Sequence, residues 1–422
     1  MNRRLEKISN PLSGKIRLAG SKSISNRLLI IQALAKDDMH LHGLANADDT
    51  KVLQQALSAN EYTYDVHHAG TSYRFLCSYL CLQDGVQILT GSDRMKERPI
   101  GPLVDALRTL GADITYLEEE GYPSLKIGEA NWKKAVETLT IDASISSQFI
   151  SSLLLIAPHI PGGLQLRLEG NLVSRPYLEM TLNLMTDFGI TYSWEDDMIN
   201  ISEQEYTAKD YEVEADWSAA SYYFGLAALV PGSEIQLSGL HQNSIQGDQS
   251  IVEIMKSLGV ESAFKNGVWH LKHIGNHQNE IEQDFLLQPD LAQTVSVVCA
   301  GLGVTALFSG LQTLKVKETD RILALQNELL KVQVYLSKLP SKFSKNPSKE
   351  YYLQEGKASS EEIPIFPTYK DHRMAMAFAC LSAIMPVEIE EADVVSKSYP
   401  DFWEDYDSLT STDAQSPFCA FH

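Results

Sequence analysis

The densest run of chemistry-bearing side chains in this sequence is Lys317-Glu318-Thr319-Asp320-Arg321, followed by the helical Ile322-Leu323-Ala324-Leu325. If a helix includes the run, Lys317 and Arg321 stand four residues apart on one face, and a like-charge pair there mildly destabilises a solvated helix. A bound anion reverses that penalty. Ser23 and Arg27 repeat the spacing and present a hydroxyl and a guanidinium to a common point. Guanidinium forks suit phosphate and carboxylate, so the chemistry these pairs point to is capture of a small anion. Arg98-Pro99 and Arg175-Pro176 each precede a further helix, with Pro suited to its first turn, and either arginine could equally be structural.

The elements that must position these groups recur. Six short stretches open apolar, small-residue helices, most with a basic side chain nearby: Gly20 to Arg27, Gly70 to Arg74, Ser144 to Gln148, Asp216 to Ser221, Asp290 to Thr294 and Lys370 to Arg373. A helix start with free backbone N–H groups is itself an anion site. Partner helices follow in most cases and close on glycine, as Ile100 to Leu110 does at Gly111, Tyr177 to Phe188 at Gly189 and Gln249 to Leu258 at Gly259. Strand pairs come next: 113–117 with 124–127, 190–194 with 198–201, and 260–264 with 268–271, the last joined through Asn266-Gly267. The repeating unit is βαβαββ with a period of about 50 to 80 residues, too small to bury its own apolar face. Six units in 422 residues divide most naturally into two α/β domains of three.

Composition narrows the partners. A formal charge of −20 argues against nucleic acid and anionic membrane, and lysines and arginines gathered at helix starts in so acidic a chain build a local field for a small anion. No signal-like run follows Met1-Asn2-Arg3-Arg4 and no apolar stretch is long enough to span a bilayer, which predicts a cytoplasmic location. Of the five cysteines, Cys77, Cys81, Cys299 and Cys380 sit in apolar helical stretches and read as buried free thiols; Cys419 does not. His67-His68 alone is weak support for a metal, so none is expected. Gly301-Leu302-Gly303 imitates a dinucleotide fingerprint but lies in an apolar helical run, where it reads as core packing. Gly14 to Ser23 imitates a P-loop with its register broken.

At Gly20 to Arg27, Ala69-Gly70-Thr71, Glu97-Arg98-Pro99-Ile100, Ser146-Ser147-Gln148-Phe149, Ser174-Arg175-Pro176-Tyr177, Lys317 to Arg321, Asp371 to Met376 and Lys397-Ser398-Tyr399-Pro400-Asp401, the chain resembles the enolpyruvylshikimate phosphate synthase family. The likeness runs from Gly20 to about Trp403. It implies two inside-out α/β barrel domains of three repeats each, the enolpyruvyl transferase fold, with 20–214 as one domain, 1–19 plus 215–422 as the other, and the active site in the cleft between them. It implies transfer of the enolpyruvyl group of phosphoenolpyruvate to the 5-hydroxyl of shikimate-3-phosphate, with loss of phosphate, by a monomer without cofactor. On that likeness Lys22, Asp290 and Glu318 are the catalytic groups. Ser23, Arg27, Ser146, Ser147, Gln148, Ser174, Tyr177 and Lys317, with Lys22 and Asp290, would bind shikimate-3-phosphate. Gly70, Arg98, Arg321, Arg373 and Lys397, with Lys22 and Gln148, would bind phosphoenolpyruvate.

Four positions depart from the family pattern: Ala19 in place of Pro, His68 in place of Asn, Phe75 in place of Pro, and Thr313 where Asn is common. None removes a charged catalytic group. The related transferase acting on UDP-N-acetylglucosamine is one alternative; it commonly relies on a loop cysteine, and no cysteine here lies in a polar, Gly-rich loop. A catalytically silent phosphate-ligand binding protein is another. Ser341 to Glu355 reads as a surface loop and Ser408 to His422 as a loosely ordered tail.

Overall fold

The computed structural model describes residues 1–59, 61–132, 138–346 and 348–411. They fall into two compact units, Gly20–Val213 and, from both ends of the chain, Met1–Ala19 with the residues from Glu214 onward. Glu214 therefore joins the second unit, one residue before the expected boundary.

The repeat is visible in strand order. In the first unit Thr63–Asp65, Gln87–Thr90, Leu125–Ile127 and Ile114–Tyr116 lie side by side in that order, as do Leu139–Asp142, Leu164–Glu169, Met198–Ile201 and Tyr192–Glu195. In both sheets the first two strands are parallel and the other pairings antiparallel. Parallel neighbours need a crossover, and helices Gly70–Leu80 and Ser147–Ile156 supply it. The second unit builds the same order from Ser13–Arg17, Glu234–Ser238, Val268–His273 and Val260–Lys265, and from Glu280–Asp284, Thr305–Ser309, Tyr351–Glu355 and Tyr335–Lys338. The remaining repeat of each unit is abbreviated. Leu41–His42 pairs with Tyr211–Glu212 in one, and Val387–Ile389 lies between Ile365–Phe366 and Arg3–Leu5, pairing with each, in the other.

Helices lie inside and sheets outside because the helices that open each repeat are apolar or small on every side, a pattern that only full burial satisfies. Every residue of Trp217–Leu229 but Ser218 is buried, and all of His372–Ala379. Small residues let the cylinders touch: a Cβ on Gly225 would stand 3.2 Å from Val298, 3.3 Å from Cys380 and 3.4 Å from Thr294. Cys77, Cys81, Cys299 and Cys380 are buried free thiols, and Cys419 lies outside the described residues.

Several local expectations change. Gly301 is helical, but Gly303 ends that helix in the left-handed region, φ 78°, as a C-cap. Pro99 precedes its helix rather than opening it; the first-turn proline is Pro102. The polar Ser341 to Glu355 stretch is not all loop: Ser341–Phe343 forms a short helical turn and Tyr351–Glu355 is a strand whose two tyrosines are buried. Ser408, Leu409 and Thr410 belong to helix Phe402–Thr410, and of the expected tail 412–422 lies outside the described residues.

Gly20, just ahead of helix Lys22–Leu34, shows how tightly the abbreviated repeat closes: a Cβ there would stand 1.9 Å from the carbonyl oxygen of Gly43. Backbone cannot step aside as a side chain can. Gly20→Ala is expected to cost at least the ~1–3 kcal/mol of core overpacking, read as a lower midpoint in denaturant unfolding; an unchanged midpoint would show that the two segments separate freely.

Candidate active site

In the Gly20–Val213 unit the helix starts carry the groups. Lys22 is the first residue of its helix, and its ammonium lies 3.3 Å from Oδ2 of the buried Asp49. Arg27, one turn on, is buried: Nε donates to Thr181 Oγ1 at 2.7 Å, Nη1 to the Ser23 carbonyl at 2.8 Å, and Nη2 to Ser151 Oγ and the Tyr177 carbonyl at 3.1 and 3.2 Å. Burial lowers its guanidinium to about 10, with Tyr177 opposing, so it stays charged near neutrality. The expected meeting of the Ser23 hydroxyl and Arg27 is thus an internal contact to the Ser23 backbone. Four of the five guanidinium N–H groups are already used.

Helix Gly70–Leu80 begins against two arginines. A Cβ on Gly70 would stand 2.6 Å from Nη1 of Arg98 and 3.0 Å from Nη1 of Arg74, and Arg74 also donates to the Gly70 carbonyl at 2.8 Å. Arg98 is buried, and its Nε has no hydrogen-bond partner among the described residues. Two cations at the positive end of a helix are mutually unfavourable until an anion joins them. Glycine at position 70 leaves them room. Gln148 ties this helix to the next, its Nε2 donating to Thr71 Oγ1 at 3.1 Å, while Ser146 caps helix Ser147–Ile156 by accepting from the Gln148 amide. Ser147 is buried in that first turn. Ser174, φ 55°, precedes helix Arg175–Asp187, in which Tyr177 turns its ring to within 6.0 Å of the Arg27 guanidinium. Arg175 is a surface residue paired with Glu179 at 2.8 Å.

The second unit gathers the remaining candidates around one side chain. Arg321 is buried and donates from Nε to Asp371 Oδ2 at 2.7 Å, from Nη1 to Asp290 Oδ1 at 3.0 Å, and from Nη2 to Glu318 Oε2 at 2.9 Å. Burial alone would lower its guanidinium, but Asp371, then Glu318 and Asp290, raise it above the ordinary value. Arg373 Nη2 meets Asp290 Oδ2 at 3.0 Å, and Lys397 meets Glu318 Oε1 at 3.3 Å. Lys317 has its ammonium pushed below the usual lysine value by desolvation, with Asp290 opposing. The helical premise for the Lys317 to Arg321 pair does not hold. The helix starts at Arg321, capped by Asp320 accepting from the Ile322 and Leu323 amides, and Lys317 is extended. Proximity in the fold, rather than helical spacing, joins them to Asp290. Asp290 is likewise no helix cap; it lies in the short turn Pro289–Leu291 with both oxygens in ion pairs.

Asp371, Asp49, Arg74, Ser218 and Asp248 had no role assigned from sequence. Asp371 was legible as an Asp immediately before a helix, the N-cap pattern, and it does accept from the Arg373 amide at 2.9 Å. Nothing in the sequence marks Asp248. It is buried, accepts from Ser218, whose hydroxyl Arg373 also approaches at 3.4 Å, and its Oδ1 has no partner among the described residues.

A family model for EPSP synthase (3-phosphoshikimate 1-carboxyvinyltransferase) matches residues 6–61 and 52–406. The chain is 45% identical to a 3-phosphoshikimate 1-carboxyvinyltransferase of Bacteroides fragilis, over 93% of this chain and 94% of that one. It is 34% identical to the Vibrio campbellii protein of the same name, over 95% and 98%. A solved EPSP synthase from Acinetobacter baumannii superposes with a TM-score of 0.76 at 21% identity, covering 97% and 98% of the two chains, which supports the fold. The chain belongs to the EPSP synthase family, the shikimate-pathway enzymes that transfer an enolpyruvyl group from phosphoenolpyruvate to shikimate-3-phosphate.

The Asp248 carboxyl is pushed up to about 7, by burial first and by Asp290 second, against Arg373 and Ser218. A carboxyl with a raised folded value binds its proton in the native state, so its stabilisation is complete below the unfolded value near 4 and is lost as pH rises towards 7. Unfolding midpoints of the wild type should therefore carry a downward contribution from pH 4 to 7 that Asp248→Asn removes. Identical pH profiles in the two proteins would place an ordinary carboxylate at this position.

Proposed function

We propose that this member of the EPSP synthase family carries out its transfer through the two sets of side chains described above, without a metal or cofactor, as a cytoplasmic monomer. The observation that carries the assignment is the buried cluster in which two carboxylates, Asp290 and Glu318, are held by three cations, Arg321, Arg373 and Lys397. Phosphoenolpyruvate must be protonated at its methylene carbon while the 5-hydroxyl of shikimate-3-phosphate attacks the neighbouring carbon. The tetrahedral adduct then expels phosphate. Acid, base and charge neutralisation are needed together, and a cluster of carboxylates and cations supports that reading.

Arg321, Arg373, Lys397 and Arg98, with Gly70 giving backbone access, are assigned to the carboxylate and phosphate of phosphoenolpyruvate. Lys317, Ser23, Arg27, Ser146, Ser147, Ser174 and Tyr177 are assigned to shikimate-3-phosphate, with Lys22 and Gln148 serving both. The pairing of Asp290 adds a physical step. A carboxylate bonded to two guanidinium groups is a weak base, and substrate anions that draw Arg321 and Arg373 towards themselves leave Asp290 freer to take the hydroxyl proton. Glu318, held by Lys397 and Arg321, is assigned to proton transfer at the methylene carbon. Lys22 assists proton transfer between the substrates. No helix among the described residues is long and apolar enough to cross a membrane.

Phosphate release from purified protein should require both substrates and persist in EDTA. Loss in EDTA restored by a divalent ion would overturn the metal-free assignment. Asp290→Asn should depress kcat by about 10²–10⁴, the range of general-base loss. Because Asp290 also holds Arg321 and Arg373, that variant will melt earlier, and kcat must be read well below its transition. A folded variant keeping most of its kcat would remove Asp290 from proton transfer.

A further inference from the structure

We propose that Tyr399 is a positioning residue for Lys397, its buried hydroxyl fastening the Lys397 segment to helices Trp217–Leu229 and Phe402–Thr410. The inference rests on the assignment of Lys397 to phosphoenolpyruvate. Lys397 ends the short helical stretch Ala392–Lys397, whose last turn closes where the Ser398 and Tyr399 amides both donate to the Val395 carbonyl, at 3.0 and 2.8 Å. Two residues beyond the lysine the chain is pinned. The Tyr399 hydroxyl donates to Asp405 Oδ2 at 2.5 Å and lies 2.8 Å from the hydroxyl of Tyr223, which is fully buried. A phenol has one proton, and with that of Tyr399 committed to Asp405, Tyr223 is the donor in the second bond. The other end of the stretch is held as well, by Trp403 Nε1 donating to the Ala392 carbonyl at 2.7 Å. Trp403 and Asp405 belong to the same helix, so one element grips the Lys397 segment at both ends.

Only two things place the ammonium of a long, flexible lysine: the fixed root of its side chain and its contacts at the tip. At the tip Lys397 meets Glu318 at 3.3 Å. An anionic substrate bound to Lys397 competes with that contact, and the root then carries the alignment alone. A loosened root should weaken phosphoenolpyruvate and spare shikimate-3-phosphate, because no residue assigned to the latter lies on this segment. If Tyr399 merely fills the core, losing its hydroxyl lowers stability and leaves both substrates alike.

The test compares KM for each substrate, kcat and melting temperature in Tyr399→Phe, Asp405→Leu, Asp405→Asn and Lys397→Met. Loss of one well-made hydrogen bond predicts a rise of about fivefold to tenfold in the KM for phosphoenolpyruvate in Tyr399→Phe and Asp405→Leu, with the shikimate-3-phosphate KM within about twofold. Asp405→Asn keeps an acceptor for the tyrosine and should stay near the wild type, which also preserves the test if the leucine variant fails to fold. Unchanged KM values beside a lowered melting temperature in Tyr399→Phe overturn the inference, as does an equal rise for both substrates. Lys397→Met separates the two levels. If it leaves the phosphoenolpyruvate KM unaltered, the Lys397 assignment itself fails; if it raises that KM while Tyr399→Phe does not, only the positioning role fails.

Discussion

One buried guanidinium, that of Arg321, organises the cluster of candidate site residues in the second unit. A charge taken out of water costs several kcal/mol even after relaxation, and it persists here because Asp371, Glu318 and Asp290 each take part of it. Those three carboxylates come from three separate stretches: the start of helix His372–Ala379, the loop before Arg321 itself, and the turn Pro289–Leu291. Satisfying one side chain therefore sets the relative placement of three backbone segments. Removing one partner leaves Arg321 with the other two but takes away one of its charge-assisted bonds. The residues proposed for proton transfer and those proposed for anion binding cannot drift independently, since Asp290 and Glu318 both pair with Arg321.

Such a hub demands the inverted layering of the fold. Helix starts can meet at a point only if the helices stand side by side in the interior, and helices that close need thin faces, supplied here by Gly225, Ser221, Thr294 and Cys380. Hydroxyls between them bond to each other or to backbone, as Ser221 does with Thr294 at 3.1 Å and Ser78 with Ser152 at 2.6 Å. The first unit uses the same economy around Arg27, whose guanidinium is met by Ser151 and Thr181. Polar groups in these cores are thus both packing material and fasteners.

What could be read from sequence follows the range of the interactions concerned. The six helix openings, the glycine stops and the strand pairs are local, and periodicity and capping exposed them; Asn266-Gly267 sits in the turn between Val260–Lys265 and Val268–His273 as its chemistry requires. The abbreviated repeats were hidden because a two-residue strand such as Leu41–His42 leaves no alternation to detect. Tyr351–Glu355 was hidden by the lysines and serines before it, although Gln354 is buried and bonded to Ser296. The candidate site residues came from motifs. Their partners were not, because the closeness of Lys22 to Asp49 and of Arg373 to Ser218 is created by packing between helices far apart in sequence. The supposed helical pair at Lys317 and Arg321 failed for the complementary reason: Asp320, an N-cap residue inside the run, starts the helix too late.

The arrangement also answers how a protein with a net charge of −20 can present cations to doubly anionic molecules without binding every anion it meets. In the second unit the cations are already engaged, Arg321 with Asp371, Asp290 and Glu318, Arg373 with Asp290, and Lys397 with Glu318. A lone small anion must displace carboxylates that are covalently part of the protein and therefore present at high effective concentration. A substrate carrying carboxylate and phosphate together can engage several of these cations at once, and so repays the displacement where a simple ion does not. The carboxylates displaced in that exchange are Asp290 and Glu318, the two to which proton transfer is assigned. On the proposed assignment, exchange of partners on the arginines would convert binding energy into basicity as the reacting hydroxyl arrives, the differential use of binding that catalysis requires.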